Sequence, residues 1–120
     1  MEKQLLFASS SELVRVPVAA VVCVVADGNY SSVCTADGSD YVIIMQLGQI
    51  EKRIAGAVSG DDRRFVRIGK SLIINRDYIV RICPGRQSLT MSDGRSFRRE
   101  LSASKEALRA LKDLIEKEES

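Results

Sequence analysis

Short apolar runs, punctuated by Asp-Gly, Gly-Asp and Pro-Gly pairs, set the rhythm of this chain. Leu13–Val16 and Val21–Val25 are rich in β-branched residues, which suit the pleated, half-buried surface of a strand. Tyr30–Thr35 and Tyr41–Ile44 flank Asp37-Gly38, a dipeptide that favours tight hairpin turns, so a hairpin is predicted there. Ser88–Met91 and Arg95–Arg98 repeat the plan about Asp93-Gly94. Between these hairpins, Phe65–Ile68, Leu72–Ile74 and Tyr78–Ile82 read as three further strands. Asp27-Gly28, Gly60-Asp61 and Pro84-Gly85 supply the remaining turn signals.

Two segments change period from two to three-and-four. Leu47, Ile50 and Ile54 recur at helical spacing between Met45 and Ala57, and Gly56 or Gly60 offers a stop. Near the C-terminus, Ser102 or Ser104 can cap a helix whose Leu108, Leu111, Leu114 and Ile115 form one apolar stripe. That stripe suits packing onto a sheet, and an amphipathic helix at a chain end can equally dock on a partner. The pattern therefore predicts a mostly β chain of minor α+β character. Its antiparallel sheets are expected to stack as an elongated sandwich of short strands, with one short internal helix and a C-terminal amphipathic helix. Residues 1–12 read as an N-terminal extension, 13–117 as one domain and 118–120 as a tail.

Size and composition narrow the class. At 120 residues and 13.2 kDa the chain suits one domain with its own core. Its longest apolar run, Val16 to Ala26, contains Pro17 and falls short of the ~18 residues of a membrane span. No membrane association is expected, and a cytoplasmic location is. Cys23, Cys34 and Cys83 are odd in number and sit in apolar, strand-like text, which suits reduced, buried thiols rather than a disulfide framework or a zinc site. His is absent, which removes the commonest general base and any Ser–His or Cys–His pair, so neither catalysis nor a cofactor is expected. Asp61 and Asp62, the obvious carboxylate pair, belong to a polar connector and read as a solvated turn.

A net charge of +2 does not announce a nucleic-acid partner, and its distribution is strongly uneven. Residues 1–60 carry a net −2 and the last twenty a net −1. Residues 61–100 hold ten cations against five anions, a net +5. Nine of those ten are Arg, whose rigid fork matches phosphates and guanine edges.

The densest chemistry lies in Phe65-Val66-Arg67-Ile68-Gly69-Lys70-Ser71-Leu72-Ile73-Ile74-Asn75, where two apolar strands flank a cationic, hydroxyl-bearing break. An ammonium beside a hydroxyl suits a phosphate or a base edge; plain solvated surface is the bland alternative. This segment resembles the signature of the LytTR family of bacterial DNA-binding domains, an F-x-R-x-H-R-S-type run leading into an apolar strand that ends in Asn. Upstream, Val16-Pro17-Val18 precedes an apolar strand and then Ala26-Asp27-Gly28-Asn29-Tyr30-Ser31, similar to the family's P-x-x-x-I-x-x-I-x-A-x-x-N-Y opening. The resemblance spans roughly Leu13 to Ile115.

The resemblance implies a non-enzymatic regulator of transcription that binds double-stranded DNA specifically, with loops from one sheet edge entering the major groove. A first DNA-facing loop falls at Asn29, Tyr30 and Ser31, with Tyr30 either contacting DNA or half-packed on the sheet. A second falls at Lys70 and Ser71, preceded by Gly69 where relatives commonly carry His. A third falls at Arg98 and Arg99; on a strand, neighbours point to opposite faces, so one of the two is expected to face DNA. Arg67 is either a phosphate contact or the partner of an Asp, and Asn75 is expected to cap the turn into Arg76-Asp77. The resemblance also implies a homodimer on repeated half-sites, and a receiver domain or sensor partner outside this chain. The competing class is a β-rich protein-interaction module with the same scaffold and little DNA affinity.

Overall fold

The computed structural model describes residues 3–119, leaving Met1 and Glu2 of the expected extension and Ser120 of the expected tail outside the described residues. The chain folds into three antiparallel sheets and two α-helices. Central is a five-stranded sheet built from β3 (Val21–Asp27), β4 (Tyr30–Thr35), β5 (Asp40–Ile43), β6 (Phe65–Ile68) and β7 (Leu72–Asn75), ordered β5-β4-β3-β7-β6. A two-stranded sheet pairs β1 (Gln4–Ala8) with β2 (Leu13–Pro17). A three-stranded sheet orders β10 (Arg98–Ser102), β9 (Ser88–Ser92) and β8 (Ile79–Cys83). The helices are α1 (Leu47–Ala57) and α2 (Lys105–Glu119).

Alternation along the central strands creates two cores. One sheet face presents Val24, Val33, Ile43 and Ile73 to Leu47, Ile50 and Ile54 of α1 and to Leu5, Phe7, Val14 and Val16 of the small hairpin. The other presents Cys23, Cys34, Leu72 and Ile74 to Leu89 and Met91 of β9 and to Leu108 and Leu111 of α2. Both faces of the central sheet are thus covered, which is why its middle strands read as nearly continuous apolar runs. The molecule is elongated, 43 × 32 × 28 Å. Asn75 is the largest of the buried polar residues described, which also include Ser31, Thr35 and Thr90, and its Nδ2 donates to the Val21 carbonyl at 2.9 Å. Its Oδ1 accepts the Asp77 backbone N–H at 3.0 Å, so it does cap the turn that follows.

Two elements depart from the pattern-based expectation. No strand was expected before Leu13, yet Gln4–Ala8 alternates exposed and buried positions and closes a hairpin in register Leu5↔Val16 and Phe7↔Val14. The Ser9–Glu12 link carries no Gly or Pro signal; serine hydroxyls and a Ser9 N–H to Glu12 carbonyl bond of 2.9 Å shape it instead. The second Asp-Gly hairpin is longer than the dipeptide suggests, with its return strand at Arg98–Ser102 rather than Arg95–Arg98. The cause is the Asp93 carboxylate, which accepts the backbone N–H groups of Arg95 at 2.9 Å and Ser96 at 2.8 Å and bonds the Ser96 hydroxyl. These bonds hold the Asp93 carboxyl well below the usual carboxylate range. A side-chain cap thus replaces a two-residue turn and shifts every following residue along the strand.

Candidate nucleic-acid interface

Two turns meet at one end of the central sheet. The first links β3 to β4 through Gly28 and Asn29, with Gly28 at φ +64°, a left-handed backbone that costs glycine little. The second links β6 to β7 through Gly69, Lys70 and Ser71, with Gly69 at φ +61°. Because β3 pairs with β7, the two turns lie on neighbouring hairpins, and the Ala26 N–H donates to the Ser71 carbonyl at 2.8 Å, tying one to the other. The hairpin centres are two strand spacings apart, about 10 Å. Asn29, Tyr30, Lys70 and Ser71 are exposed on this rim. Among the described residues Lys70 forms no ion pair.

Ser31 does not belong to the exposed set. Strand alternation turns it, with Val33 and Thr35, toward the core beneath α1, where it is fully buried and its Oγ donates to the Met45 carbonyl at 2.8 Å. Its hydroxyl fastens the start of β4 to the segment that leads into α1. Tyr30, of opposite parity, stays half exposed. The motif placed both residues in one loop, but the two-residue periodicity of a strand admits only one of them to solvent.

Arg67 is an ion-pair partner, though of Glu51 on α1 rather than of an Asp. Its guanidinium meets the Glu51 carboxylate at 2.9 Å, and its Nε donates to the Gly69 carbonyl at 3.2 Å. The side chain therefore braces the second turn against α1, and its charge is already balanced.

Arg98 and Arg99 lie elsewhere. Arg99 bonds Asp40 at 2.7 Å, and Asp40 opens β5 opposite Cys34, four residues along β4 from Tyr30. At strand rise that is ~13 Å from the rim. The 93–97 loop preceding β10 sits farther still: the Phe97 ring packs on Tyr78, whose hydroxyl donates to the Ala19 carbonyl just before β3 begins. Arg98 points to solvent and Arg99 inward, as alternation requires, but neither joins the turns at 28–29 and 69–71.

The rim gains a different third neighbour. The α2 helix runs from Gly69, beside Ala107 and Ala110, toward Arg76, which ion-pairs with Glu118 near the helix end. Its start, Ser104 and Lys105, therefore lies toward the rim. The Ser104 hydroxyl accepts the Ala107 N–H at 3.1 Å, which fixes the cap and holds Lys105 in the exposed first turn. The Ser cap was visible as a sequence signal; which end of the sheet it would face was not.

The scaffold is layered and antiparallel, and it holds two exposed, glycine-pivoted turns side by side at one end of the central sheet. A family model for the LytTr DNA-binding domain matches residues 11–116, and the chain belongs to that family. It is thus a DNA-binding domain, from a family of binding domains rather than enzymes. Among solved structures it is similar to one described as the LytTr DNA-binding domain of a methyl-accepting/DNA response regulator from Bacillus cereus. The match has a TM-score of 0.63 over 96% of this chain and 98% of that one, at 17% identity, and concerns the fold. No curated protein matches. Among the described residues no helix is long and apolar enough to cross a membrane.

Proposed function

We propose that this domain is a sequence-specific regulator of transcription that reads the major groove of double-stranded DNA with the rim formed by the 28–30 and 69–71 turns. The observation that carries the reading is the Ala26–Ser71 hydrogen bond between two exposed, glycine-pivoted turns of one sheet. Their spacing of about 10 Å fits a groove ~12 Å wide. Lys70 is the leading base or phosphate contact, Ser71 and Asn29 are hydrogen-bonding partners, and Tyr30 stacks on sugar or donates to phosphate. Lys105 takes the part expected of the Arg98/Arg99 pair, as the third contact element on the DNA-facing side. Arg67 and Ser31 position the loops from behind.

Binding as a homodimer on repeated half-sites, regulated through a receiver domain or sensor partner in the cytoplasm, completes this reading. Selection of bound fragments from a random duplex pool, followed by titration of the winning duplex across salt concentrations, tests it. A recurrent sequence bound with a slope near −0.9 per phosphate neutralised is expected. No retained duplex at low salt would overturn the reading in favour of a protein-interaction module.

A further inference from the structure

Cys23 and Cys34 have no part in the DNA-facing rim, yet their placement is specific. They face each other across the β3–β4 ladder, beside the irregularity between Val21 and Cys23, and both are buried. Directly opposed residues on antiparallel strands have Cα atoms about 4.5–5.5 Å apart, inside the roughly 4.4–6.8 Å that a disulfide spans. The Cys34 Sγ–H donates to the Ser32 carbonyl at 3.9 Å, and the two thiols stand close enough to act on one another electrostatically. On the far side of Cys34 stands its β5 partner Asp40, bonded to the Arg99 guanidinium that reaches down from β10. Arg99 and Asp40 are the charged groups acting on both thiols. The neighbouring Cys23 thiol, helped by the Arg99 charge, pulls the Cys34 thiol below its ordinary value against the opposing effect of burial. The neighbouring Cys34 thiol and burial push Cys23 up. Two opposed thiols beside a guanidinium supply the attacking and the resolving sulfur that stepwise oxidation needs.

We propose that Cys23 and Cys34 form a reversible intrachain disulfide, a modification site set by their shared ladder position beneath the Arg99–Asp40 pair. With hydrogen peroxide as oxidant, the Cys34 sulfur forms a bond to one peroxide oxygen as the O–O bond breaks. The departing hydroxide takes the former Cys34 proton and leaves as water, with Cys34 now a sulfenic acid. The Cys23 sulfur then attacks the Cys34 sulfur; the S–S bond forms, the S–O bond breaks, and the hydroxide leaves as a second water with the Cys23 proton. Two thiols lose two electrons in all and one peroxide becomes two waters. A dithiol reductant restores both thiols by exchange. Such transient bonds are the kind found in reducing compartments. Cys83 provides the internal contrast: it is half-buried, and its ladder partner is Ser88 rather than a thiol.

The test treats the reduced full chain with millimolar hydrogen peroxide, counts free thiols and maps peptides without reduction. Free thiols are expected to fall from three to one, with a Cys23–Cys34 cross-link that dithiothreitol removes. Cys83→Ser should lose two thiols in the same way, and Arg99→Gln should slow the reaction several-fold. Cys23→Ser and Cys34→Ser should yield no cross-link. Because serine at either buried position can disturb the core, the Cys83→Ser and Arg99→Gln chains carry the decision. Three thiols surviving in the folded chain would overturn the proposal. So would cross-links through Cys83, or accumulation of sulfinic acid on Cys34 in place of the disulfide.

Discussion

At one end of the central sheet, Lys70 stands on a three-residue turn with no ion-pair partner among the described residues; toward the other, Arg99 is held by Asp40 at 2.7 Å. Both are cations beside a Gly-containing hairpin in the basic middle of the chain. The Lys70 turn is pinned from behind, by Arg67 through the Gly69 carbonyl and by Ala26 through the Ser71 carbonyl, and its side chain is left to solvent. Arg99 instead faces inward, over the Cys23–Cys34 pair. Both side chains are cationic and belong to the same basic segment; availability is decided by what lies opposite. A pinned turn with an unpaired cation gives a contact that is pre-ordered and electrostatically unspent, so little entropy remains to be lost on binding. A strand cation locked to a carboxylate would have to abandon that partner first.

Several substitutions break or sharpen this contrast. Largest, Lys70→Glu should weaken duplex binding by about 1–3 kcal/mol, read by fluorescence anisotropy at low salt; unchanged affinity would remove Lys70 from the interface. Next, Gly69→Ala forces a side chain into φ +61°. It should cost about 1–2 kcal/mol of stability in denaturant unfolding. Affinity should fall with it, because the turn carries Lys70. Smaller still, Lys70→Ala should lower the steepness of the salt dependence by about one phosphate's worth, whatever the duplex sequence. Smallest, Arg99→Ala should leave duplex affinity unaltered and cost about 0.2–1 kcal/mol of stability, as for a half-exposed ion pair. Loss of DNA binding in the Arg99→Ala chain, at full stability, would put the contact surface at the wrong end.

Sequence patterning by itself determined the nine strands from Leu13 onward in number and order, both helices, the Asp37-Gly38 hairpin and the Asn75 cap. Those features depend on forces acting within a few residues: β-branched propensity, period-two and period-3.6 burial, and the backbone freedom of glycine. The motif blocks likewise marked both turns of the rim. Tertiary structure alone decided the rest. Ser31 turned inward because β4 buries one face under α1, Arg67 chose Glu51 because α1 crosses beside β6, and Arg98 and Arg99 moved away because Asp93 lengthened its loop. The β1 strand exists because Leu5 and Phe7 complete a core whose other members lie far along the chain. A short segment encodes its own conformation, whereas the charge, burial and direction of a side chain depend on distant residues that only the folded chain brings to it.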